Sequence, residues 1–275
     1  MVGKHVIEAL SPAKLNLFVH VTGKRDNGYH ELQTAFQLLD WGDRMRFEIT
    51  ETPGITLNPP VAGVPNEDNL IFRAASSLGL PEDRGIAISI EKVIPMGGGL
   101  GGGSSNAAVT LLALNDLFDL GHSIDELALK GAALGADVPV FVRGTSAWAE
   151  GIGDELMPLE LPARWFVIIS PDCHVSTQEI FDAPELTRNT APITVSAFFE
   201  GPVRNDLQPV VESRYEQVST AIKWLSNHGS AMMTGSGACV FASFQSQAEA
   251  ERVAETAESE FNVFLAKGIN RFTVV

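Results

Sequence analysis

Residues 95–107 read Pro95-Met96-Gly97-Gly98-Gly99-Leu100-Gly101-Gly102-Gly103-Ser104-Ser105-Asn106-Ala107, with six glycines in the seven positions 97–103. An apolar alternating run, residues 85–94, leads into this stretch, and small and leucine residues, 104–118, follow it. That order predicts strand, loop, helix. Glycine admits positive φ and puts no Cβ between the backbone and a ligand, but it loses more backbone entropy on ordering than any other residue. A turn with no ligand has no use for that cost. A cradle of free N–H groups opening onto a helix N-terminus does, because it holds anions, and one this wide suits a polyphosphate. The loop therefore points to a nucleotide.

Two familiar nucleotide loops fit the string but not its surroundings. Gly97-x-Gly99-x-x-Gly102 satisfies the dinucleotide fingerprint, yet that fold needs a second strand after the helix, ending in an acid about 20 positions on. Here Asp119-Leu120-Gly121 leads into another helix, and Asp116 and Asp119 stand at a helix end. The spacing Gly98 to Gly103 matches the Walker loop, but Ser104 stands where that motif has lysine. Phosphates must then be held by amides, the helix dipole, and a lysine or metal from elsewhere. Ser104 and Ser105 could add hydroxyls toward phosphate or Mg²⁺.

The rest of the 275 residues suits a soluble α+β protein in two lobes, with a boundary near Pro158: an N-terminal lobe, 1–157, and a C-terminal lobe, 158–275. Strands are expected at 5–10, 13–21, 44–50, 85–94, 140–142, 165–170, 239–244 and 261–267. Helices are expected at 68–79, 104–118, from Ser123 onward, 176–181, 207–227 and 246–258. Residues 148–157 and 183–194 read as connections. A formal charge of −15 argues against a nucleic-acid binder. The two cysteines, Cys173 and Cys239, make neither a zinc motif nor a disulfide framework. No stretch reaches the roughly 18 apolar residues of a membrane span, and the first residues lack a leader's apolar core. A cytoplasmic location is expected.

Three further segments break local rules in ways that suggest a site. In Pro12-Ala13-Lys14-Leu15-Asn16-Leu17, strand geometry puts Lys14 and Asn16 on one face, and an inward lysine needs an anion. An edge lysine facing water is the alternative. Gly28-Tyr29-His30-Glu31-Leu32 offers an aromatic and a histidine as a platform for a flat base, or simply packing. Asp137, in Gly135-Ala136-Asp137-Val138-Pro139-Val140-Phe141, reads as an acid at the unfavourable C-terminal end of a helix dipole, or as an ordinary turn aspartate.

Taken together, Pro12–Leu17, the Pro95–Ala107 loop and Thr234-Gly235-Ser236-Gly237-Ala238-Cys239 resemble the three motifs of the GHMP small-molecule kinases. Within that group Gly28–Thr34, Gly135–Phe141 and Ala149-Glu150-Gly151-Ile152-Gly153 resemble the 4-diphosphocytidyl-2-C-methyl-D-erythritol kinases, from residue 11 to about residue 245. The resemblance implies a ribosomal-S5-like N-terminal lobe, a ferredoxin-like C-terminal lobe and a site in the cleft between them. It implies phosphorylation, by ATP with Mg²⁺, of the 2-hydroxyl of 4-diphosphocytidyl-2-C-methyl-D-erythritol in non-mevalonate isoprenoid biosynthesis. It makes Asp137 the catalytic base, Lys14 its partner, and Tyr29, His30 and Phe181 the cytidine pocket. Pro95, Met96, Gly97, Gly98, Gly99, Leu100, Gly101, Gly102, Gly103, Ser104 and Ser105 would bind the nucleotide, and Asn16 the substrate. Homoserine or mevalonate kinase is the nearest alternative, but Gly28–Thr34 argues against substrates that have no base to stack. A nucleotide sensor that has lost catalysis would need neither Lys14 nor Asp137.

Overall fold

A computed structural model describes residues 5–60 and 64–274. Most of the N-terminal segment, on which the expectation of no leader rested, lies outside the described residues. The first half holds β1 (Val6–Lys24), β2 (His30–Thr50), β3 (Gly54–Leu57), α1 (Leu70–Ser76), β4 (Gly85–Glu91), α2 (Gly102–Leu117), α3 (Ile124–Ala132), α4 (Val138–Arg143), β5 (Ala147–Glu150) and β6 (Glu155–Pro158). The second holds β7 (Trp165–Ser170), α5 (Thr177–Phe181), α6 (Val195–Glu200), α7 (Gln208–Arg214), α8 (Glu216–Ser226), β8 (Ala231–Met233), β9 (Val240–Phe244), α9 (Gln247–Ala257) and β10 (Asn262–Ile269).

One open mixed sheet runs through both halves in the order β3-β4-β2-β10-β7-β9-β8, with β1 on β2 and the β5–β6 hairpin beside them. Strands β9 and β10 both lie antiparallel to β7. They are therefore parallel to one another, with α9 crossing between them, in the strand, helix, strand order expected at 239–244, 246–258 and 261–267. The seam is narrow: Gly268 and Ile269 of β10 pair with Leu39 and Leu38 of β2.

Helices α1 to α4 cover one core, built on Phe47, Ile86, Ile88, Leu111, Leu114 and Phe141. A second core gathers Val167, Ile169, Val211, Val218, Leu225 and Val240. Between them a small cluster joins Leu15, Leu39, Leu100, Phe166, Ile168 and Cys239. Leu100, the one side-chain-bearing residue in 97–103, is 1% exposed and anchors the glycine loop in that seam.

Start signals read well where a side chain caps the helix. Asn69 accepts from Ile71 N–H, Ser176 from Glu179 N–H, and Ser123 and Ser246 each form a capping box. Several expectations fail. Residues 140–142 are not a strand but the middle of α4, whose Val138, Pro139, Val140, Phe141 and Val142 are all buried. A helix packed on every side shows no periodicity, and Pro139 sits in its first turn, where its missing N–H costs nothing. Asp137 accordingly lies at a helix N-terminus rather than a C-terminus. Residues 207–227 form two helices, because Tyr215 is extended at φ −127°, ψ 97°. Residues 148–157 form most of a hairpin, Trp148 pairing with Met157. β1 runs unbroken through Ser11 and Pro12, irregularities being absorbed as bulges. β2 begins at His30, 14 residues before the expected strand, and α6 and β8 were not foreseen.

Candidate active site

β1 delivers Lys14 to the glycine loop through the backbone: Lys14 N–H donates to the Leu100 carbonyl at 3.0 Å. On the other side Cys239 N–H donates to the Gly98 carbonyl at 3.1 Å. The loop is thus clamped between β1 and the 234–239 turn. Gly101, at φ 72°, is the N-cap of α2, a backbone conformation that a side chain disfavours. A Cβ on Gly99, at φ 76°, would fall 2.2 Å from the Thr234 carbonyl oxygen. Burial pushes the Cys239 thiol up to about 12, so this side chain packs as an inert hydrophobe.

Lys14 is 2% exposed, and its ammonium lies 3.2 Å from an Asp137 carboxylate oxygen. It also donates to Asn16 Oδ1 and stands 5.3 Å from the centre of the Phe36 ring. Asn16 is held from two sides: its Nδ2 donates to Thr34 Oγ1 at 3.0 Å and its N–H to Thr234 Oγ1 at 2.9 Å. Asp137 makes no capping bond with its own helix, which leaves the carboxylate turned to Lys14. The inward-facing lysine therefore has its anion, and the water-facing alternative is excluded. A buried ammonium supplied by one segment and a third-exposed carboxylate by another converge beside the loop.

Two hollows flank the glycines. The inner one, about 390 Å³, is lined by Lys14, Asn16, Gly99, Gly101, Ser104 and Asp137 together with Phe181 and the 235–237 turn. The outer one, about 340 Å³, lies between residues 95–103, the start of α1 and Lys92. Ser104 lines both. Ser105 is fully buried instead, accepting from Ser11 Oγ at 2.8 Å. Met96 is 69% exposed at the rim of the outer hollow.

Tyr29 and His30 separate in space. The Tyr29 ring is 60% exposed on the turn before β2, its N–H fixed by Asn27 Oδ1 at 3.1 Å. His30 is 6% exposed, with its ring 5.0 Å from that of Phe181. The structure thus sets His30 behind Phe181, which lines the inner hollow, while neither His30 nor Tyr29 is part of that lining.

Several supporting residues were not foreseen. Asp43 is fully buried and accepts from Val93 N–H (2.8 Å), Ile94 N–H (2.9 Å) and Asn106 Nδ2 (2.9 Å), as well as from Lys92 Nζ. It ties the strand before the glycine loop to the helix after it. Asn205 holds the 233–235 backbone, donating to Met233 O at 2.8 Å and Gly235 O at 2.7 Å. Arg188 donates to His30 Nε2 at 3.0 Å. Asp43 stands just before the strand expected at 44–50, and none of the three carries a signal in the sequence.

Known proteins with this arrangement agree. The family described as GHMP kinases N terminal domain matches residues 69–145, and GHMP kinases C terminal matches residues 193–263. A 4-diphosphocytidyl-2-C-methyl-D-erythritol kinase from Marinobacter nauticus is 51% identical over 267 residues, covering 94% of this chain and 93% of the relative. One from Pseudomonas fluorescens is 52% identical over 262 residues, with 94% and 93% covered. The crystal structure of a 4-(cytidine 5'-diphospho)-2C-methyl-D-erythritol kinase superposes with a TM-score of 0.83 at 32% identity, covering 95% of this chain and 99% of that one. Homoserine kinase from Cytophaga hutchinsonii, at 16% identity and TM-score 0.66 over 98% and 96% of the two chains, shares the fold. The chain belongs to the 4-diphosphocytidyl-2-C-methyl-D-erythritol kinase family of the GHMP kinases.

Proposed function

We propose that the inner hollow is where this kinase transfers the γ-phosphoryl group of ATP to the 2-hydroxyl of 4-diphosphocytidyl-2-C-methyl-D-erythritol, giving the 2-phosphate and ADP. The observation that carries the assignment is the Lys14–Asp137 pair, 3.2 Å apart beside the glycine cradle. Phosphoryl transfer asks little covalent help of a protein; positioning and charge stabilisation supply most of the rate. The amides of residues 97–103 and the N-terminus of α2 hold the phosphates. Asp137 orients the substrate hydroxyl and takes its proton. Lys14, already paired with Asp137, balances charge that develops between the hydroxyl oxygen and the phosphoryl group. Asn16, fixed by Thr34 and Thr234, aligns the Lys14 ammonium and the acceptor alcohol.

The outer hollow takes the nucleoside end of ATP, and the Phe181 end of the inner hollow takes the cytosine. Tyr29, free on its turn, folds over the base from outside. Mg²⁺ would neutralise charge on the β- and γ-phosphates. Among the described residues no three carboxylate, histidine or cysteine side chains are grouped to hold a metal. Ser104, which lines both hollows, would hold the ion beside the triphosphate. No helix among the described residues is long and apolar enough to cross a membrane. With no cysteine framework either, we infer a cytoplasmic enzyme.

The test is ADP formation with and without the cytidyl alcohol. The kinase reading expects ADP release that rises with cytidyl alcohol concentration and saturates. Tight ATP binding without stimulated turnover would make the protein a sensor. Turnover on homoserine or mevalonate in place of the cytidyl alcohol would move it to another branch of the GHMP group.

A further inference from the structure

The nitrogen of His30 that meets Arg188 is fixed by the partner's chemistry. Arg188 Nε lies 3.0 Å from His30 Nε2. A guanidinium offers only N–H donors and stays protonated in proteins. The imidazole nitrogen facing it must supply the lone pair, so the ring proton sits on Nδ1. Nδ1 is the ring nitrogen that Arg188 leaves free, on an imidazole 5.0 Å from the Phe181 ring, which lines the inner hollow. Arg188 is itself held: Nη1 donates to Leu186 O at 3.1 Å, and Nη2 to Phe181 O at 2.8 Å and Ala183 O at 2.7 Å. A second proton on His30 would set donor against donor. Burial first, then the Arg188 and Lys24 charges, hold this imidazole below its ordinary range, against a smaller opposing pull from Asp182.

We infer that Arg188 is a positioning residue for base selection: by confining the His30 proton to Nδ1 it presents a donor to the pyrimidine edge. The ring N3 of cytosine is an acceptor and completes that hydrogen bond. The N3 of uracil carries hydrogen and leaves two donors opposed, which a dry pocket penalises. The inference rests on the reading that the base lies against His30 and Phe181.

The experiment compares kcat/KM for the cytidyl alcohol and its uridyl counterpart in the wild type and in Arg188→Gln, Arg188→Lys and His30→Ala. Glutamine can turn either its carbonyl to Nε2–H or its NH2 to a bare Nε2, so Nδ1 is no longer confined to the donor role. Arg188→Gln is therefore expected to lower the cytidyl/uridyl ratio about tenfold or more, the size of one base-edge contact. Lysine only donates, so Arg188→Lys keeps the ratio. Mere loosening of the Phe181 wall would raise KM for both substrates alike and leave the ratio unmoved, which would overturn the inference. The imidazole ¹⁵N spectrum of the wild type gives a reading independent of the variants: it is expected to show the proton on Nδ1, and a proton on Nε2 overturns the inference even if Arg188→Gln does not fold. Where His30→Ala shifts the ratio and Arg188→Gln does not, the base site stands and the role of Arg188 falls. Where neither shifts it, the base lies elsewhere and the underlying assignment falls as well.

Discussion

At the scale of single residues, the fold buries a charged lysine at the centre of the site. Lys14 keeps its charge out of water because Asp137, Asn16 and the Phe36 ring surround the ammonium. Lys14→Ala removes the cation from the reacting centre, and kcat is expected to fall about 10²-fold or more with the far-UV spectrum unchanged; a steady-state assay decides. Tyr29 touches only the cytidyl end in this account. Tyr29→Ala should raise KM for the cytidyl alcohol several-fold more than KM for ATP, and equal rises would remove Tyr29 from the base platform. Lys14 and Asn16 were legible because an apolar strand gives polar residues two apart a common face. Asp137 was legible for a mistaken reason. The sequence presents it as an acid at the wrong end of a dipole, whereas it opens α4, where a carboxylate is electrostatically favoured.

At the scale of elements, the glycine loop works because its neighbours fix it. Gly99→Ala meets the Thr234 carbonyl and a left-handed backbone at once. The backbone alone costs about 1–2 kcal/mol, and the clash must push the loop from the 234–237 turn. The expected outcome is a lower Tm together with a KM for ATP raised at least tenfold. An alanine variant with wild-type ATP affinity would show that the cradle does not need this approach. Beneath the loop, Asp43→Ala strips the partner from Lys92, Asn106 and two backbone N–H groups. Urea denaturation should register a loss of about 3 kcal/mol or more. Elements were legible where local chemistry marks them, as at the Asn69, Ser123 and Ser246 caps. They were not where tertiary burial decides. α4 is apolar on every side and so looks like a strand, and the break at Tyr215 leaves no proline or glycine in the sequence to announce it.

At the scale of the molecule, two cores share a seam, and the site lies where they meet. We propose that the chain divides into lobes near Pro158, residues 1–157 and 158–275. The support is that one core gathers on the first span and that the other draws mainly on the second. The cleft needs both: Lys14, Asp137 and the glycines come from the first span, and Phe181 and the 235–237 turn from the second. That the lobes share one sheet was beyond sequence reading, because the joining pairs, Gly268 with Leu39 and Ile269 with Leu38, are separated by over two hundred residues and marked by no motif. The most direct test of the whole account is single-turnover phosphoryl transfer by Asp137→Asn, with binding of ATP and of the cytidyl alcohol measured in parallel. Both ligands are expected to bind within a few-fold of wild type while transfer slows by about 10²–10⁴. Transfer at close to the wild-type rate would contradict the account.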